Sequence, residues 1–138
     1  MKRNVFYFFL IIIGALIVLY LSWVSSPKIG GNVLIPSWIA YWVDAYRYNE
    51  IRTAVPMVFL GVLSGFMILS NKLDKKTWGI IAWLSLTVLI SIAEIGQYFR
   101  PMRSFDLKDI AWGSIGSGFG LLVAFIGAGV FNKMRHTK

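Results

Sequence analysis

The side chains of this 138-residue chain that could do chemistry are concentrated in one short stretch, Glu94-Ile-Gly-Gln97-Tyr-Phe-Arg100-Pro101-Met-Arg103-Ser-Phe-Asp106-Leu-Lys108-Asp109. Three carboxylates, an amide and two guanidinium groups lie within these sixteen positions. Arginines can clamp an anionic headgroup, and carboxylates with an amide can hold a hydroxylated or cationic one. A pair of carboxylates can also act as general acid and base. The spacing does not support a divalent cation on oxygen ligands, and no metal or cofactor is expected. The chain has no HExxH, P-loop, CxxC or nucleophile motif, and Ser104 has no activating neighbour in sequence. His136, the single histidine, sits in a basic tail, and the lack of cysteine removes disulfide, thiolate and Cys–metal chemistry.

Each of these residues also has a plainer reading. Asp106 occupies the place of a helix N-cap, and Asp109 three residues later resembles a capping-box partner that complements the helix dipole. Arg103 could pair with them or with lipid phosphate. Capping does not account for Glu94, whose plain alternative is a buried pair with Arg100 or Arg103.

The elements that must position this cluster are membrane spans. The chain is 57% hydrophobic and 14% charged, against about a quarter charged in soluble domains. A crossing helix needs about 20 apolar residues, and four blocks qualify: roughly 5–24, 53–70, 77–99 and 107–131. The expected fold is therefore all-α, one domain of four transmembrane helices covering residues 1–138. The first block follows Lys2 and Arg3 like a signal peptide. Its apolar run exceeds the usual 7–15 residues and no small-x-small cleavage site follows, so it reads as a retained span. Glu94 and Gln97, three apart, share one face of the third span, with Glu94 roughly 8 Å below its end. An ionisable group at such a depth must be paired or face a wet cavity. Pro101 ends that span, and Asp106 and Asp109 open the next.

The formal net charge of +8 could suggest nucleic acid, but the basic residues flank apolar blocks, where membrane topology and anionic headgroups explain them. With four spans, the side of the termini carries Lys2, Arg3, Lys72, Lys75, Lys76, Lys133, Arg135 and Lys138. The other side carries Lys28, Arg47, Arg52, Arg100, Arg103 and Lys108. Eight against six favours cytoplasmic termini and an outward-facing polar cluster. The first outer loop, Ser25 to Arg52, contains Trp38, Tyr41, Trp42, Tyr46 and Tyr48 after Pro36 and Ser37. It reads either as a short helix lying in the interface or as a loop with anchoring aromatics. On the fourth span Gly116 and Gly120 form GxxxG, and Gly113 and Ser117 a second small-xxx-small pair, a face for close helix approach. Its partner is read first as another helix of the chain and otherwise as a second copy. Pro56 is expected to kink or thin the second span.

The pattern Glu94-x-x-Gln97-x-Phe99-x-Pro101-x-Arg103-Ser-Phe-Asp106-x-x-Asp109, followed by Gly116 and Gly120, resembles the VanZ-like family of small membrane proteins over about the last third of the chain. Asn49 and the Pro56–Gly61 stretch are loosely similar to the family's second span. The family often carries Asn four residues after the second Asp, where this chain has Gly113. The resemblance implies four helices in the membrane and a link to the cell envelope and teicoplanin resistance, without an agreed reaction. The expectation is an outward site on Glu94, Gln97, Arg103, Asp106 and Asp109. It would bind an envelope component: a lipid-linked precursor, a lipid headgroup or a lipoglycopeptide antibiotic. The alternatives are an intramembrane enzyme on a lipid-linked substrate, with Glu94 or Asp109 as general base, and a structural subunit of a membrane complex.

Overall fold

The computed structural model describes residues 2–23, 49–99 and 105–136. Among them the regular structure is four helices without strands: α1, Lys2–Trp23; α2, Asn49–Ser70; α3, Lys75–Tyr98; and α4, Leu107–His136. Each contains a stretch long and apolar enough to cross a bilayer: Val5–Trp23, Thr53–Ser70, Lys75–Tyr98 and Leu107–Val130. Hydrocarbon offers no water to backbone N–H and C=O groups, so an apolar run of this length must bond internally as helix. Polar side chains within the spans follow the same rule: Ser85, Thr87 and Ser91 each donate to the carbonyl four residues earlier. Helix α4, at 30 residues, spans about 45 Å and is long enough to emerge from the hydrocarbon. With four such spans among the described residues, the chain is a multi-pass membrane protein. The aromatic segment of the first loop lies outside the described residues.

Four residues reverse the chain between α2 and α3. Leu73 N–H bonds to Ile68 C=O and Lys72 N–H to Leu69 C=O, both at 3.1 Å, with Lys72 at φ 54°. That is a Schellman ending with lysine in the left-handed position that glycine usually takes. Asp74 then caps α3, its carboxylate accepting from Thr77 N–H at 2.7 Å. The short turn makes α2 and α3 antiparallel, so their neighbours alternate too. One end of the bundle gathers the C-termini of α1 and α3 with the N-termini of α2 and α4.

The tightest contact joins α2 to α4. A β-carbon added at Gly116 would lie 2.6 Å from the Ala54 carbonyl oxygen, and one at Gly120 would run into the Val58 carbonyl. From the other side, a β-carbon at Gly61 would meet the Ser117 carbonyl, and one at Gly65 would lie 2.5 Å from Ala124 Cβ. The two backbones touch along matched small-residue faces, Gly61 and Gly65 against Gly116, Ser117, Gly120 and Ala124. Van der Waals packing of this kind replaces the hydrophobic effect, which does not drive helices together in lipid. Pro56 lies inside α2, and the helix continues through it.

Behind that seam Met57, Leu60, Leu86, Ile90 and Ala93 are buried together with Val18 of α1. Gly113 faces Ile90 of α3, where a β-carbon would come within 2.8 Å of Ile90 Cγ1. Helix α1 is peripheral. Val18 is its one buried residue among those described, while Phe6, Phe9, Leu16 and Tyr20 are exposed and face lipid in a bilayer. It packs on α2 and α3 and, among the described residues, does not reach α4.

Candidate functional site

Glu94 lies four residues before the end of α3, about 6 Å inside it. Ile90 and Ala93 are buried beside it, and the Glu94 side chain is itself only 1% exposed. A carboxylate removed from water needs hydrogen bonds in exchange. Gln97, one turn on and also buried, donates its amide N–H to Glu94 Oε1 at 2.6 Å. The second oxygen, Oε2, accepts a longer bond of 3.4 Å from the backbone N–H of Asp106, on the far side of the turn. The carboxylate thus joins the end of α3 to the start of α4.

Asp106 is held by its own helix. Its Oδ1 accepts from Lys108 N–H at 2.9 Å and its carbonyl from Asp109 N–H at 3.1 Å, so the N-cap reading describes its local role. The carboxylate is exposed at the bundle end, and Asp109 lies half-buried in the first turn of α4. Both Asp109 and Asp106 are close enough to act electrostatically on Glu94. Four of the five residues expected from the sequence to bind a ligand (Glu94, Gln97, Asp106 and Asp109) are therefore gathered at one bundle end. The fifth, Arg103, lies outside the described residues with Arg100 and Pro101. Among the described residues no three of His, Asp or Glu are placed to hold a metal ion.

Of the packing residues, Gly116, Ser117 and Gly120 face α2, and Gly113 faces α3. A side chain at position 113, where the resembling family often has Asn, would displace Ile90. Ser117 is fully buried and donates to the Ser114 carbonyl at 2.9 Å, which also accepts the Trp83 indole N–H at 2.9 Å.

Sequence reasoning did not single out Trp23. Its indole N–H donates to the Ala93 carbonyl at 3.2 Å, and its ring fills the space that a β-carbon on Gly96 would need. This contact pins the end of α1 against α3 beside Glu94. A tryptophan at the end of a span reads as an interfacial anchor, and only the facing Gly96 hints at a helix contact. The Gly61-Val-Leu-Ser-Gly65 face of α2 was missed as well. It carries the same GxxxG signal as α4 and could have been found by that pattern.

Comparison with known proteins gives no match to a family model, to a curated protein or to a solved structure. The class the fold defines is a four-helix membrane protein with a carboxylate cluster at one end, and what that cluster does must be argued from its chemistry.

Proposed function

We propose that this is a VanZ-like protein of the bacterial cytoplasmic membrane that binds the polar head of an envelope component at its Glu94 end. The observation that carries the reading is Glu94 itself, 1% exposed within a membrane span and joined by Gln97, Asp106 and Asp109 at the same end. Ionisable groups at such depth are expensive and mark ligand or ion sites as a rule. Hydroxyl or amine groups of a lipid-linked precursor, a phospholipid head or a lipoglycopeptide suit the carboxylates and amide, and Arg103 would hold an anionic part. With the termini cytoplasmic, the site faces outward. The charge count supports this orientation, and the cysteine-free background makes it testable. A cysteine replacing Asn32 should react with an impermeant reagent in whole cells, and one replacing Asp74 should not. The reverse pattern overturns the orientation.

The binding role is tested with Glu94→Gln and Asp109→Asn, which keep shape and most hydrogen-bonding capacity. Folded, monodisperse yield in detergent should stay near wild type, while co-purifying polar lipid and any teicoplanin tolerance conferred on the host should fall away. Variants that retain both would sink the reading. A second reading has its own support: the Asp106 N–H to Glu94 bond crosses the α3–α4 turn and could serve only to lock it. Under that reading, folded yield and phenotype fall together.

A further inference from the structure

At the opposite end of α3, far from Glu94, an apolar groove of about 330 Å³ runs between α3 and α4. That volume is at the low end of the range of about 300–1,000 Å³ for small-molecule sites. Its walls include Gly79, Trp83, Gly118, Leu122 and Phe125, and Lys75 and Lys76 stand at its mouth. The two glycines make it. A β-carbon at Gly118 would approach Trp83 Nε1 to 3.3 Å, and one at Gly79 would approach the Phe125 ring to 3.3 Å. Trp83 closes the inner end with its N–H already bonded to the Ser114 carbonyl, so the ring presents an apolar surface to the groove. From Lys76 to Trp83 the helix advances about 10 Å, so the groove runs inward from the membrane surface, along the direction of an acyl chain.

The mouth lies at headgroup depth. Trp78, in the first turn of α3, is exposed there as an interfacial tryptophan would be. Lys72, Lys75 and Lys76 are all exposed around it, against the single carboxylate of Asp74, which is engaged by Thr77 N–H. A basic mouth over a dry groove between transmembrane helices has the chemistry of an anionic lipid site. We propose that this groove takes one acyl chain of an anionic glycerophospholipid, with the phosphate between Lys75 and Lys76. The lipid comes from the leaflet on the side of the α2–α3 turn, and the site is separate from the Glu94 cluster.

The test is a lipid titration of the detergent-purified full chain, read by native mass spectrometry, with phosphatidylglycerol and phosphatidylcholine of equal chain length. Each surface lysine contributes about fivefold in affinity for an anionic lipid. The wild-type chain should therefore prefer phosphatidylglycerol by about tenfold to thirtyfold, and the Lys75→Gln/Lys76→Gln double variant should lose that preference. Gly118→Leu, which fills the groove, should weaken both lipids, while Gly127→Leu, outside the groove wall, should change neither. Should Gly118→Leu fail to fold, the wild-type chain supplies the same information: inorganic phosphate should not displace the lipid, because it leaves the groove empty. Equal affinity for the two lipids overturns the proposal, as does a preference that survives the double variant. Displacement by inorganic phosphate alone would show a headgroup contact without the groove, and would overturn it too.

Discussion

The two ends of the bundle use the same local device and differ in what lies behind it. Asp74 caps α3 and Asp106 caps α4, each accepting a backbone N–H of the helix it opens. At the Asp74 end the described charges, Lys72, Asp74, Lys75 and Lys76, stay in solvent, and α4 leaves a groove beside α3. The glycines further along α4 there, Gly127 and Gly129, have no atom of the described residues within reach of an added β-carbon. At the Asp106 end α2 and α4 touch backbone to backbone at Gly116 and Gly120, and a carboxylate is buried next to the cap. A buried charge is tolerated where rigid neighbours hold its hydrogen-bond donors in place. The Asp74 end keeps Lys72, Asp74, Lys75 and Lys76 in water, where they need no such support.

Breaking the tight end should have the largest effect. Gly120→Leu must separate α4 from the Val58 carbonyl, at a cost of about 3 kcal/mol or more. Its monodisperse yield in detergent should collapse, while that of Gly127→Leu stays near wild type. Equal yields would mean that the close α2–α4 contact is not what holds the bundle. Next in size is Glu94→Ala, which strands the Gln97 amide in a buried site and should cost about 1–3 kcal/mol. Lys76→Ala, at the open end, should stay within about 0.5 kcal/mol. Thermal unfolding in one detergent compares the two, and indistinguishable midpoints would erase the contrast between the ends.

The caps sharpen the comparison with smaller effects. Asp106→Ala should cost about 1 kcal/mol through the lost cap, and more than Asp74→Ala does, because the cap also fixes the turn whose backbone N–H at position 106, retained in the variant, serves Glu94. A larger loss from Asp74→Ala would reverse that ranking. The smallest effect is acid titration of the Asp74 cap. The Thr77 backbone N–H, with a side-chain hydrogen bond from Thr77 behind it, holds the Asp74 carboxyl below its ordinary value of 3.8. A depressed folded value means that the cap's contribution is complete above 3.8 and disappears as pH falls through the lower folded value. The Thr77 amide resonance should therefore titrate with a midpoint under 3.8, and a midpoint at or above it would remove the cap's electrostatic contribution.

Four apolar blocks and the placement of Asp106 at a helix start were legible in the sequence, because each depends on local chemistry. Hydrocarbon dictates helix for any run like Val5–Trp23, and an aspartate before a helix caps it whatever lies nearby. The spacing of Glu94 and Gln97 likewise settled that they could meet, since residues three apart on a helix are neighbours by geometry. What α4's glycines pack against was not legible. GxxxG says that a backbone will come close and not which one, and the answer depended on Gly61 and Gly65 lying at matching depth on α2. The same holds for Trp23 in the notch at Gly96, for the Asp106 N–H reaching Glu94 across the turn, and for the groove between Gly79 and Gly118. Each is a fit between surfaces far apart in sequence, and only the relative position and rotation of packed helices determines it.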